Sequence, residues 1–145
     1  MKTRNGFVSN SSSSSFVVVM KNGKEMTKSN LLEAFDVKKT SPLYSFADDL
    51  STWIMKNVKE MDVIGIHENY IGNYNKKNLT IDEMIEEIVE DHGMDKEELE
   101  KIASKEIKYY EGSASSDSGD ALEYYLYEGG INIETDSIQI KSGDN

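Results

Sequence analysis

Five consecutive serines run directly into five consecutive apolar residues near the start of this chain, and this junction constrains the fold more than any other feature. The apolar stretch extends from Phe16 to Met20, and three of its members are β-branched valines. Such a composition is typical of a strand that is covered on both faces. We therefore expect this strand to lie at the centre of a sheet. Apolar residues bound the serine run on both sides, so we expect the run to be held against the fold.

About four short helices are predicted, covering one face of the sheet. Thr80 and Glu83 have the spacing of a capping box, which satisfies the first backbone N–H groups of a helix. Asp95 with Glu98 repeats the pattern. His92 and Gly93 mark the end of the first of these two helices. The predicted helices begin at Ser29 and at Ser41-Pro42, and cover 80–91 and 95–104.

Alternating apolar and polar residues predict the remaining strands. The segment 67–78 has no sustained period and is predicted to be a loop. Gly129-Gly130 and Thr135-Asp136-Ser137 are turn signals, so the end of the chain is predicted to form an antiparallel meander. The predicted strands are 61–66, 105–111, 120–127, the segment with Ile131 and Ile133, and 138–140.

The fold class that follows is α+β, with a mostly antiparallel sheet. The 145 residues suffice for one core and not for two, so 1–145 is predicted to be a single domain. Within it, 1–15 is a serine-rich N-terminal segment and 141–145 is a polar tail. The chain has no cysteine, and its longest apolar run is too short to span a membrane. We expect a cytoplasmic protein, with a virion location as the alternative, and no membrane association.

The formal net charge of −11 is concentrated between residues 80 and 100, a segment that contains ten acidic residues and one lysine. Contact with phosphates requires clustered Lys and Arg, so direct nucleic-acid binding is not expected. A basic protein partner and mimicry of nucleic-acid charge both stay open. The simplest interpretation is that these acids form the solvated faces of two amphipathic helices. If they bind a partner, the central residues of this acidic ridge are Glu86, Glu87 and Glu90.

Two serine-rich segments are the candidate ligand or recognition surface. Their hydroxyl and N–H groups suit a phosphate or another small ligand, a modifying enzyme or partner, or simply a turn that satisfies itself. Asp117, Asp120 and Glu123 could offer oxygens to a cation, but they lack the EF-hand spacing, so no metal or cofactor is predicted. The candidate residues are Ser9, Asn10, Ser11, Ser12, Ser13, Ser14 and Ser15, together with Ser113, Ser115, Ser116, Asp117, Ser118 and Asp120.

The sequence contains no recognisable set of catalytic residues. Enzymatic activity is therefore left open, and a protein that is not an enzyme is the preferred interpretation. His67 is a candidate general base because its ordinary pKa lies near neutrality, but no Gly-x-Ser-x-Gly elbow accompanies it. The alternation of 120–127 places Tyr125 and Tyr127 opposite Leu122 and Leu126. These tyrosines are either exposed, and suited to a protein interface, or buried on a second face.

The segment from Arg4 to Phe16 resembles an N-terminal signature, RxGFVSNSSSSSF, of small phage, prophage and bacterial proteins with no established activity. The segment from Glu111 to Glu123 is similar to a later block of the same group. The resemblance implies a phage or mobile-element setting. We therefore expect a non-catalytic acidic protein that binds a host or phage protein. The alternatives are a small-ligand, phosphate-binding or hydrolytic site at 9–15 and 112–120, and a virion structural subunit.

Overall fold

The apolar strand forms the centre of a five-stranded antiparallel sheet, as the sequence predicts. A computed structural model describes residues 13–72, 78–116, 119–128 and 130–142. The strand order is β2-β3-β1-β5-β4, so β1 has two strands on each side. The strands are β1 (Ser13–Met20), β2 (Lys59–Met61), β3 (Lys108–Ser115), β4 (Asn132–Glu134) and β5 (Ile138–Ser142).

Six helices in the described residues cover both faces of this sheet, so the expectation of helices on one face is wrong. Phe16 and Val18 point to one face, the Phe16 face, and Val19 points to the other, the Val19 face. A separate buried apolar cluster occupies each face, because β1 is apolar at every position from Phe16 onward. The helices are α1 (Lys28–Phe35), α2 (Tyr44–Asn57), α3 (Val63–Tyr70), α4 (Ile81–His92), α5 (Lys96–Ser104) and α6 (Ala121–Tyr127).

The Phe16 face packs against α1, α2 and α6, which contribute Leu31, Ile54 and Leu126. The Val19 face packs against α3, α4 and α5. The fold is therefore α+β in a single domain, with the sheet between two helical layers. No helix in the described ranges is both long enough and apolar enough to span a bilayer.

The two helices with the clearest capping signals are confirmed. The Thr80 hydroxyl accepts a hydrogen bond from the Glu83 N–H at 3.1 Å, and a Glu83 carboxylate oxygen accepts from the Thr80 N–H at 2.8 Å. Gly93 ends α4 with φ of 81°. Asp95 caps α5 by accepting from the Glu98 N–H at 3.2 Å. Local side-chain chemistry therefore determines both helix starts.

Two other helix starts differ from the prediction. The cap of α1 is Thr27 rather than Ser29, and Thr27 forms a capping box with Asn30. Helix α2 begins at Tyr44, two residues after Pro42. The Ser41 hydroxyl accepts a hydrogen bond from the Leu43 N–H at 3.0 Å and so stabilises a turn that precedes the helix.

Four predicted segments differ from the structure. Of the predicted strand 61–66, only Met61 is in a strand, at the end of β2. Residues 63–66 and part of the predicted loop 67–78 form α3, because Asp62 accepts from the Gly65 N–H at 2.8 Å and caps a helix. The predicted strand 120–127 is α6, capped by Asp120. The C-terminal meander is therefore reduced to a hairpin of β4 and β5. Finally, the predicted strand 105–111 is β3, which extends to Ser115 and so includes residues 112–115 of the candidate site at 112–120.

Candidate functional site

The two serine-rich segments meet in the sheet. Ser13 pairs with Ser115, and Ser15 pairs with Ser113, in the antiparallel register of β1 with β3. We call these paired segments, 13–15 and 113–115, the serine ladder. The two segments are about a hundred residues apart in sequence, and their meeting follows from strand pairing that neither segment specifies alone.

The serines of the ladder have different surroundings. Ser14 is 7% exposed, and its hydroxyl donates to the Tyr127 carbonyl at 3.1 Å, which ties β1 to the end of α6. Ser15 and Ser115 are half-buried, and Ser113 is exposed. The Ser115 N–H donates to a Glu123 carboxylate oxygen at 2.6 Å. The ladder therefore combines a structural contact at Ser14 with a more open side at Ser15 and Ser113.

The other predicted residues of the serine-rich segments divide into two groups. Ser116 is half-buried beyond the end of β3, and the Asp120 carboxylate accepts from the Leu122 N–H at 2.9 Å as the cap of α6. The contact of Asp120 is therefore local to the start of α6. The side chain of Ser13 and the predicted site residues Ser9, Asn10, Ser11, Ser12, Asp117 and Ser118 lie outside the described residues.

A carboxyl group that the sequence analysis did not single out lies beside the ladder. Glu111 of β3 pairs with Val17 on one side and Lys59 on the other, so its side chain shares the Val19 face with Ser15 and Ser113. Its Oε1 atom is fully buried and has no hydrogen-bond partner among the residues that the structure describes. Burial raises the pKa of Glu111 to about 7. In the alternating pattern of the predicted strand 105–111, Glu111 occupies a position that faces inward. A charged residue at such a position could have indicated the buried carboxyl group.

This arrangement is unfavourable for binding a phosphate. An anion nest requires consecutive N–H groups in a curved backbone, whereas 13–15 and 113–115 are extended and paired. The carboxyl group of Glu111 adds negative charge to the same face whenever it is ionised. No group of three or more His, Asp or Glu residues in the described ranges is arranged to hold a metal ion.

His67 is not placed as an accessible general base. It lies in α3, is 5% exposed, and its Nε2 atom is 2.7 Å from the Glu87 carboxylate of α4. This contact joins two helices of the same layer. The candidate general base is therefore a buried side chain in a half-buried contact between two helices.

The predicted acidic ridge is not a uniform free surface. Glu86 forms an ion pair with Lys96 at 2.8 Å, and Glu87 binds His67. Glu90 is exposed. Only part of the ridge is consequently available to a partner, and a change at Glu87 also affects the α3–α4 contact.

Several exposed apolar side chains lie around Tyr125. Leu43, Phe46 and Tyr125 are 64%, 41% and 39% exposed. The Phe46 and Tyr125 rings meet edge to face, with centroids 5.5 Å apart. They line a groove of about 490 Å³, which we call the aromatic groove; its other lining residues are Phe35, Val37, Ala47, Leu50, Gly130, Ile131, Asn132 and Ile133.

The wall of the groove is held in place by a glycine contact. The Tyr125 hydroxyl donates to the Gly130 carbonyl at 2.7 Å. A Cβ atom at Gly130 would lie only 2.6 Å from the Tyr125 ring, so this position allows the ring to pack closely against the backbone. Tyr127, predicted to share a surface with Tyr125, is instead half-buried and packs against the core of the Phe16 face.

The helical half of this groove is not evident from the apolar spacing of α2. Leu43 and Phe46 have the helical spacing of the apolar stripe of an amphipathic helix, and that spacing alone predicts that they face the core. The stripe also contains Ala47, Leu50 and Ile54, which are all buried. With Leu43 and Phe46, the stripe is wider than the buried face of the helix. This width could have indicated an exposed apolar surface. A comparison with family models, curated proteins and solved structures finds no match to this chain.

Proposed function

We propose that this protein is a non-catalytic interaction protein of a phage or mobile element, and that it binds a host or phage protein through the aromatic groove. The observation that carries the proposal is the exposed aromatic pair of Phe46 and Tyr125, next to Leu43. Large exposed apolar residues around a concave surface are characteristic of binding sites. Aromatic side chains also contribute much of the energy of protein interfaces.

The groove suits a protein partner that inserts apolar side chains. Its Tyr125 wall is fixed by a hydrogen bond before any partner arrives, so less conformational entropy is lost on binding. The net charge of −11 favours a partner with a basic surface around its apolar anchors. The phage or mobile-element setting rests on the resemblance of the segment from Arg4 to Phe16.

The meeting of the serine-rich segments favours a second candidate function, a small-ligand or hydrolytic site at the serine ladder. Ser15 and Ser113 present hydroxyl groups on the face that also holds Glu111. A neutral polar ligand suits these groups better than phosphate. Titration with inorganic phosphate and with neutral sugars, followed by the amide signals of 13–15 and 113–115, tests this candidate against the first.

The test of the main proposal is site-specific cross-linking in cells that express the phage or host proteins. A photo-reactive phenylalanine analogue at Phe46 should capture a partner, and the same analogue at Ile64 should not. Ile64 is 46% exposed and lies on α3, in the opposite helical layer, so it is a matched control. The double variant Phe46→Ser, Tyr125→Ser should lose the partner, whereas Ile64→Ser should retain it. Equal capture at both positions would contradict the proposal.

A further inference from the structure

The outer edge of β4 has backbone groups that find no partner among the described residues. Within the described part of the chain, strand β4 is last in the sheet and pairs only with β5. The Ser142 N–H donates to the Ile131 carbonyl, and the Thr135 N–H donates to the Ile138 carbonyl. Because hydrogen-bonded pairs alternate along an antiparallel ladder, Ile133 also faces β5, and Asn132 and Glu134 direct their N–H and C=O groups away from it.

The outer edge of β4 can pair with the same edge of a second copy of the chain. A second β4 that runs antiparallel and is centred on Ile133 places each Asn132 opposite the Glu134 of the other copy. Both residues have outward backbone groups, so each such pair forms two hydrogen bonds, and the two-fold arrangement forms four. Only the register centred on Ile133 uses all three residues of β4. In this register, all outward N–H and C=O groups of Asn132 and Glu134 are paired.

The side chains agree with the same register. The two Ile133 side chains meet on the Phe16 face, next to the aromatic grooves. On the other face, each Asn132 amide lies opposite a Glu134 carboxylate, which it can approach as a hydrogen-bond donor. Charge on an edge strand normally discourages association, but Lys21 already neutralises Glu134 through an ion pair of 2.6 Å.

The opposite edge of the sheet lacks this complementarity. Strand β2 consists of Lys59, Glu60 and Met61. A symmetric pairing centred on Glu60 sets two glutamates directly opposite each other. Each has an ion pair with Lys108 at 3.3 Å, but the like charges at the centre still disfavour this register, whereas each Glu134 lies opposite an asparagine. Self-association through the sheet should therefore use β4 and stop at two copies.

We propose that a second copy of this chain binds at the edge of β4 and forms a two-fold dimer with a continuous ten-stranded sheet. This inference goes beyond the proposed function, because it does not depend on any partner in the aromatic groove. The two-fold axis is normal to the sheet, so both Phe16 faces lie on the same side. The two aromatic grooves are then neighbours, and the dimer presents two binding sites side by side.

The test is the oligomeric state of the purified protein, measured by sedimentation over roughly 1 to 500 µM because dimerisation depends on concentration. Asn132→Pro removes one outward N–H from each copy and thus two of the four hydrogen bonds. Proline is tolerated on an edge strand, and this N–H does not pair with β5. The dissociation constant should rise by about 10- to 100-fold. Asn132→Thr keeps the N–H and should preserve the dimer.

Hydrogen exchange provides a measurement that does not rely on a variant. In the wild-type protein, the Asn132 and Glu134 amides should exchange more slowly as concentration rises, while the outward-facing control amides of β2 stay unchanged. A monomer at all concentrations would overturn the proposal. So would a dimer that Asn132→Pro does not weaken, or an open-ended oligomer.

Discussion

Glu111 is the residue whose environment is least expected from its chemistry. It lies one strand from the centre of the sheet, and one of its carboxylate oxygens is buried without a hydrogen-bond partner in the described part of the chain. Lys59, directly across on β2, is exposed, and Lys141 lies on the far side of Val17 in the same row of the sheet. Burial therefore makes the neutral form of Glu111 more favourable in the folded protein than in the unfolded chain.

The stability of the protein should depend on the charge state of Glu111. Its pKa of about 7 in the folded protein lies above the ordinary value of 4.5. The folded state therefore binds the proton more tightly, and the contribution of this group to stability is lost as pH rises from 4.5 through 7. Glu111→Gln keeps the shape and cannot ionise, so its melting temperature relative to wild type should rise between pH 5 and pH 8.

Glu86→Gln is the control for this measurement. Glu86 is exposed and forms an ion pair with Lys96, so its replacement should produce no relative gain at higher pH. Thermal unfolding of the three proteins in one series of buffers is sufficient. Parallel melting curves for wild type and Glu111→Gln over the whole range would show that Glu111 ionises in the folded protein without penalty.

At the scale of the strands, the packing of β3 requires a glycine at position 112. A Cβ atom at Gly112 would lie 2.3 Å from the Asn57 carbonyl oxygen and 2.7 Å from the Phe16 ring. The carbonyl belongs to the backbone and cannot rotate away. We expect Gly112→Ala to destabilise the protein by at least about 2 kcal/mol, as overpacking in a core does.

Ser113→Ala is the matched control for Gly112→Ala, since it changes the next, exposed residue of the same strand. It should alter the free energy of unfolding by less than about 0.5 kcal/mol. Urea denaturation of both variants measures the difference. A Gly112→Ala variant as stable as Ser113→Ala would mean that Asn57 and Phe16 can move away at little cost.

Val18 tests the central position of β1. It is 0% exposed and belongs to the core of the Phe16 face. Val18→Asp buries a charge without a partner and should cost more than about 4 kcal/mol or prevent folding. Ile64→Asp, at an exposed apolar position of α3, should be tolerated. Circular dichroism during heating distinguishes them, and a Val18→Asp protein that melts near wild type would exclude this core role.

Elements were predictable where one local signal was decisive. The unbroken apolar run of β1 and the capping residues of α4 and α5 each allow one interpretation. The spacing of Leu122 and Leu126 allows two, because four residues separate side chains on one face of a strand and also on one face of a helix. The Asp120 cap and the burial of Leu126 decide for a helix. The same cap signal at Asp62 was available for α3 and was not used.

The candidate sites depend on the whole molecule, which is why the sequence showed them only in part. The serine ladder requires the register of β1 with β3, and the aromatic groove requires α2, α6 and the chain before β4 to meet. Tyr125 was identified as a candidate from its aromatic character alone. Phe46 was missed, because the apolar pattern of α2 does not distinguish a residue that faces the core from one at the rim of a groove.

The uneven charge of the whole chain should itself limit stability. Glu90 is exposed and lies one helical turn after Glu86 on α4, so the two like charges repel. Glu90→Lys replaces this repulsion by an attraction in the favourable order, with the glutamate nearer the helix start. It also places a cation in the last turn of α4, where the helix dipole favours it. We expect a gain of about 0.5 to 1 kcal/mol at low ionic strength.

Salt distinguishes this electrostatic gain from a change in packing. Raising the salt concentration from about 0.05 to about 0.5 M shortens the Debye length below the separation of most surface charges. The advantage of Glu90→Lys over wild type should therefore shrink in high salt. Glu90→Gln removes the repulsion without adding an attraction and should give an intermediate gain. Urea denaturation at both salt concentrations measures all three proteins, and a gain that persists unchanged in high salt would assign the effect to contacts of the lysine side chain instead.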